Sequence, residues 1–170
     1  MLSNYEKAIT LLEEIKDLPH MPYPKCPCSA EEVKIFEEAL KIRLPQDFIR
    51  FSTYWGNLSF GGLEVFGVNT YDLQAILDER NEGRMPSNLV VIEDTGWDGE
   101  LYCLQINEND PDKSPVVVYV HPTVPIEIIA PDFGTYLLQR VQQEIEYQEE
   151  EKQKEAAEAL KQKMTQGELF

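Results

Sequence analysis

Basic residues are in short supply. Lysine and arginine together number 15 against 31 aspartates and glutamates, leaving a formal net charge of −16 over 170 residues. A surface of that sign repels the phosphates that nucleic-acid binding must engage, and it repels anionic membranes in the same way. It draws cationic protein surfaces toward itself. Long apolar runs are missing too: nothing approaches the roughly 20 residues that a membrane-spanning helix needs. The opening "MLSNYEKAITLLEEIKDL" mixes charge with apolar residues, where a secretory leader needs an unbroken apolar core. These features predict a cytoplasmic protein with neither a membrane nor a nucleic-acid partner.

The usual carriers of chemistry are scarce as well. Only His20 and His121 offer near-neutral bases. His20 lies in a proline-rich connection, and His121 ends a strand-like run just before Pro122. Neither stands in a serine, cysteine and acid pattern that would activate a nucleophile. No G-x-x-x-x-G-K-[ST] loop occurs, and Gly61-Gly62 reads as a turn because it lacks the strand-to-helix setting of a phosphate loop. Cys26 and Cys28 are one residue apart and Cys103 is distant, so the three cysteines do not make the paired ligand sets of structural zinc. Unpaired cysteines fit a reducing compartment, and Cys103, inside an apolar run, reads as core. Asp94, Asp98 and Glu100 lack the alternating ligands and terminal bidentate glutamate of a calcium loop. A metal-dependent hydrolase built on these acids would want a ligand pattern that is absent. The expectation is therefore no catalytic residues, no metal and no cofactor: a binding protein, not an enzyme.

What is present reads as one α+β domain. Ser3-Asn4-Tyr5-Glu6 has the form of a capping box, and Tyr5, Ala8, Ile9, Leu12 and Ile15 recur at helical spacing, predicting a helix over 4–18. Prolines interrupt the chain at 19–27. A second capping box, Ser29 to Glu32, opens a helix with Val33, Phe36 and Leu40 inward. Pro45 begins a third, which places Phe48, Phe51, Ser52 and Trp55 on one face and stops at Gly56. "LSFGGLEVFG" predicts a hairpin, and "TYDLQAILDERNEG" a fourth helix with Leu73, Ile76 and Leu77 buried. Strands are expected at 89–92, 101–106, 116–120 and 126–129, giving a mostly antiparallel sheet of about five to six strands. A helix starting at Pro131-Asp132 docks through Phe133, Leu137, Leu138, Val141 and Ile145. Continued to about 163, it would run roughly 50 Å. Its charged second half is either a solvated extension or an arm for a partner or a second copy; on the latter reading the protein is a monomer or a weak homodimer through this helix.

One stretch stands out. Between Glu93 and Asp112 lie Glu93, Asp94, Asp98, Glu100, Glu108, Asp110 and Asp112, with no lysine or arginine among them. The strand at 101–106 divides them into two groups that can fall at opposite ends of the sheet. Gly96 and Gly99 suit a tight connection, which puts Trp97 at or near its tip. Two readings are open there. Trp97 folds back over the sheet and the acids only solvate a loop, or Trp97 is an aromatic anchor ringed by acids and built for a cationic partner. On the second reading Trp97 and the seven acids are the candidate binding residues.

The order of these elements resembles a known superfamily. "SAEEVKIFEEALKIRLPQDFIRFSTYWGNLSFGGLEVFGV", "MPSNLVVIEDTGWDGELYCLQI", "SPVVVYV" and "IIAPDFGTYLLQRV" are similar to SUKH domains, relatives of the fungal Smi/Knr cell-wall regulators. The carrying features are Leu44-Pro45, Trp55-Gly56 with Gly61-Gly62, Leu89 to Glu93, Tyr102-Cys103-Leu104, Pro115-Val116-Val117 and Phe133. "LVVIED" and "YCL" especially resemble YobK-like bacterial immunity proteins. The resemblance covers about 29–142 and divides the chain into a SUKH-like domain over 1–142 and a charged helical extension over 143–170. It implies an α+β domain without catalytic residues: in bacteria, a cytoplasmic antitoxin that neutralises a polymorphic toxin, often a nuclease. The fungal relatives imply an alternative, a non-enzymatic regulatory or scaffold module that recruits endogenous proteins.

Overall fold

The computed structural model describes residues 1–15, 18–120 and 122–167. Both capping boxes form. Ser3 caps α1 (Asn4–Glu14) and Ser29 caps α2 (Ala30–Leu40), each hydroxyl accepting the amide N–H of the third helical residue, Glu6 or Glu32, whose carboxylate accepts the cap's own N–H. Helix α1 is shorter than expected. Ile15 has extended backbone, and Leu18 before Pro19 is disfavoured from helix by the proline ring. Lys16 and Asp17, part of the expected helix, lie outside the described residues.

Next come α3 (Gln46–Tyr54), β2 (Asn57–Phe60), β3 (Leu63–Val65), α4 (Leu73–Asn81), β4 (Leu89–Asp94), β5 (Leu101–Gln105), β6 (Val116–Tyr119), β7 (Glu127–Ala130) and α5 (Phe133–Thr165). An unexpected strand, β1 (Tyr23–Lys25), precedes α2 in the chain and pairs with β2. It contains Pro24, which a sheet tolerates because β1 is an edge with an unused amide side. The strands form two antiparallel sheets, ordered β1-β2-β3 and β4-β5-β6-β7, so the described residues hold seven strands where five or six were expected. Phe66 N–H donates to Ile92 C=O at 2.7 Å, tying the end of the first sheet to β4.

The main core lies between the helices and one face of the strands. Phe133, at the start of α5, packs against Tyr5, Phe48, Phe51 and Tyr136, with ring centroids 5.1 to 6.5 Å away. Truncating such a buried aromatic costs roughly 3–5 kcal/mol. Gly134 lets α1 approach: a Cβ there would sit 2.9 Å from the Tyr5 backbone nitrogen. Three side chains expected in the core, Leu73, Ile76 and Leu77, are only half-buried, because α4 rides on the surface of the core and buries none of its residues.

A smaller cluster fills the other face of the second sheet: Met85, Leu89, Cys103, Val117 and Tyr119, with Val91 and Leu101 partly covered. Its roof is the 80–89 segment, where Arg80 donates to the Leu89 carbonyl and Tyr119 hydroxyl donates to the Arg84 carbonyl at 3.1 Å.

Helix α5 docks as far as Gln148, which is 4% exposed beside the Gly61-Gly62 turn; Glu144 accepts the Gly62 N–H at 2.9 Å. The end of the docked part therefore falls inside one continuous helix, a little past residue 142. From Glu149 onward nearly every residue is exposed, a helical length of about 25 Å. No helix among the described residues is long and apolar enough to cross a membrane.

Candidate functional site

The seven acids do not form one cluster. Strand β5 sends Glu108, Asp110 and Asp112 to the opposite end of the sheet from Asp94, Asp98 and Glu100. That far end has local employment. Asp112 accepts the Gln46 N–H at 2.8 Å, at the start of α3. Asp110 pairs with Lys113 at 3.4 Å. Glu108 borders a shallow groove shared with Lys34, Lys41 and Arg43, so its surroundings are of mixed sign.

Glu93 is set apart in another way. A bulge between Val91 and Glu93 breaks the strand's alternation, so Ile92 and Glu93 are both buried, at 0% and 4% exposure. The Glu93 carboxylate accepts from Arg140 on α5, at 2.5 Å from Nη2 and 3.0 Å from Nε, and from the Tyr136 hydroxyl. Arg140 also lies over the Tyr102 ring, 5.9 Å from its centroid. The hydrogen bonds that Arg140 donates to Glu93 raise the Arg140 pKa, while burial, then the Glu93 charge, pushes the Tyr136 hydroxyl well above its ordinary value. Glu93 thus belongs to the fold: it bolts β4 to α5 directly beneath the turn, and its carboxylate is turned away from solvent.

Above that bolt stands the turn from Asp94 to Glu100. Gly96, Asp98 and Gly99 all have positive φ, at 73°, 46° and 76°. Glycine adopts that region freely, and aspartate tolerates it better than most side chains. Thr95 seals the base, its Oγ1 donating to Glu100 C=O at 3.0 Å and accepting from Trp97 N–H at 3.3 Å. Glu100 N–H donates to Trp97 C=O at 2.7 Å, and Asp94 Oδ1 accepts from Gly96 N–H at 2.9 Å. The result is a tightly bonded loop that holds Trp97 at its tip, 77% exposed. The indole does not fold back over the sheet. Asp94 and Asp98 are exposed around it and Glu100 is half-buried beside it.

Among the described residues no three histidine, cysteine, aspartate or glutamate side chains converge to hold a metal ion. Cys26 is exposed, Cys28 is half-buried, and burial pushes the Cys103 thiol up to about 12. His121 lies outside the described residues. A cavity of about 300 Å³ opens between α2, α4 and β4, lined by Phe36, Phe66, Ile76, Met85 and Leu89. The nearby Arg80 guanidinium uses two of its donors on the Leu89 and Ser87 carbonyls.

A family model described as SMI1-KNR4 cell-wall (SUKH_5) matches residues 8–142. The chain belongs to the SUKH family. The match begins within α1 and ends within the docked part of α5, so both sheets and the Trp97 turn fall inside the SUKH domain. No curated protein matches the chain.

Sequence reasoning missed Tyr136, Arg140 and Tyr102, the three side chains that fasten the site to α5. The signal for Arg140 was faint but present: it is the only cationic residue between Lys113 and Lys152.

Proposed function

We propose that this SUKH domain is a cytoplasmic immunity protein: an antitoxin that binds a basic toxin and blocks its substrate surface without chemistry of its own. The observation that carries this reading is Trp97, held 77% exposed on a turn whose charged side chains are all acidic. Aromatic residues are the commonest anchors of protein interfaces, and a turn already fixed in its bound shape loses little freedom on association. Membership of the SUKH family supports the immunity role. A nuclease is the toxin class that fits best, because it must be cationic where it grips phosphate, and an acidic inhibitor meets that surface quickly.

A regulatory or scaffold role is the second reading, favoured by the exposed stretch of α5 beyond Gln148. Co-expression with a panel of cationic nuclease toxin domains separates the two. Rescue of growth by the full chain, and by a chain ending after Gln148, supports the antitoxin reading. Loss of rescue on removing the exposed helix moves the function to that helix, and failure of the full chain to rescue contradicts the antitoxin reading.

A further inference from the structure

The Trp97 turn shares its end of the second sheet with an apolar segment that no described residue covers. Leu101 pairs with Tyr119, and Val118 pairs with Glu127. The 95–100 turn and the 122–126 segment therefore lie at the same end of the sheet, roughly two strand spacings or about 10 Å apart. Val117 pairs with Ile128, and directly paired residues share a face. Ile128 thus extends the apolar face built by Leu89, Cys103, Val117 and Tyr119. The 80–89 segment roofs that face over β4 to β6 and stops short of β7, the edge strand. There Ile128 is 63% exposed and Ile126 39%, with Val124 at 46% beside them. Exposed aliphatic residues scattered singly need no explanation, but three within five residues beside an exposed tryptophan make a patch.

We infer that Trp97, Ile126 and Ile128 form one docking face, an apolar centre inside an acidic rim, whose occupant is a cationic protein carrying lysine or arginine around an apolar spot. The inference rests on the reading of the chain as a binder of a basic protein, and it adds where and how that protein sits. The rim is Asp94, Asp98 and Glu100. No lysine or arginine occurs between Lys113 and Arg140 in the sequence. Arg84, the cation bordering this face through Tyr119, is paired with Glu82, and Arg140 is bonded to Glu93. A second copy of the chain is a poor occupant, because the rim acids would meet their own kind at close range. Charge alone would choose another place: Glu144, Glu146, Glu149, Glu150 and Glu151 crowd five acids into eight residues of α5. The two sites can therefore be told apart.

The test uses the full chain and two kinds of probe: a panel of cationic nuclease toxin domains, and a tryptophan-free peptide alternating lysine and leucine. Ile126→Thr/Ile128→Thr keeps β-branched shape and removes apolar surface; Glu149→Lys/Glu150→Lys is the control on α5. Amide exchange maps each probe, and indole emission reports cover over Trp97, since Trp55 is 5% exposed. The expected result is protection at 95–100 and 122–130, a blue-shifted indole, and binding weakened about tenfold by the threonine pair with unchanged thermal unfolding. The α5 variant should bind both probes within about threefold of wild type. A toxin that binds wild type and the threonine pair equally refutes the face and leaves the antitoxin reading standing. A panel in which no toxin binds, while the peptide protects the face, refutes the antitoxin reading and leaves the face standing. Peptide protection confined to 144–151 overturns the inference.

Discussion

Glu93 and Arg140 are 47 positions apart in the chain and 2.5 Å apart in space, and this ion pair joins the strand beneath the Trp97 turn to the terminal helix. Arg140 reaches it from α5, next to the Tyr136 hydroxyl that shares the same carboxylate. The turn is thereby built on a fixed base. Arg140→Ala would leave a carboxylate that is 5% exposed without its counter-charge. Breaking a buried pair in this way costs about 3 kcal/mol, which denaturant unfolding would register as a lower midpoint at unchanged slope. A midpoint within error of wild type would mean that the pair holds nothing together.

Trp97 should behave in the opposite manner. Its side chain is 77% exposed and its backbone, not its indole, closes the turn. Trp97→Ala should therefore move folding stability by no more than about 0.5 kcal/mol. On toxin binding it should cost roughly 2 kcal/mol, near thirtyfold in affinity, as a central aromatic anchor does. Calorimetry on the variant and the toxin reads both quantities, and a variant that binds as wild type removes the anchor.

The three thiols make a graded probe of burial. Cys26 is exposed, Cys28 is half-buried with its thiol pushed up by burial and then by Glu32, and Cys103 is fully buried in β5. A disulfide reagent at pH 8 should label Cys26 promptly, Cys28 more slowly, and Cys103 only on unfolding, because the thiolate is the reactive form. Cys103 reacting as fast as Cys26 would contradict the burial of β5.

Acid sensitivity should come partly from the two capping boxes. The Ser3 and Ser29 backbone amides hold the Glu6 and Glu32 carboxyls below their ordinary value. The folded chain thus binds those protons less tightly than the unfolded chain, and the contribution is complete above the ordinary carboxylate range. It disappears as pH falls through the lowered folded values. Glu6→Gln/Glu32→Gln should flatten that part of the acid limb in pH-dependent unfolding; an unchanged limb would place the acid sensitivity elsewhere.

Much of this was legible in advance, for reasons visible in particular residues. Serine followed three residues later by glutamate gave the starts of α1 and α2, because capping is a local event. Paired glycines around Trp97 gave its place at a tip, since positive φ is also local. What escaped notice depends on contacts distant in the chain. Burial of Glu93 needs a bulge that breaks alternation and an arginine on another element. Strand β1 has three exposed residues, one of them proline, and exists only because β2 offers it an edge. The separation of Glu108, Asp110 and Asp112 from the other acids follows from strand direction. Their partners, the α3 amide, Lys113 and the cations along the groove, come from three places in the sequence.

Neutralisation without chemistry is tested most directly by titrating the toxin's activity with the purified chain at a toxin concentration well above the dissociation constant. Stoichiometric blockade predicts a linear fall that ends at one chain per toxin, reversed when high salt screens the acidic rim. Inactivation of many toxin molecules by one chain, or full activity with the chain in excess, would contradict it.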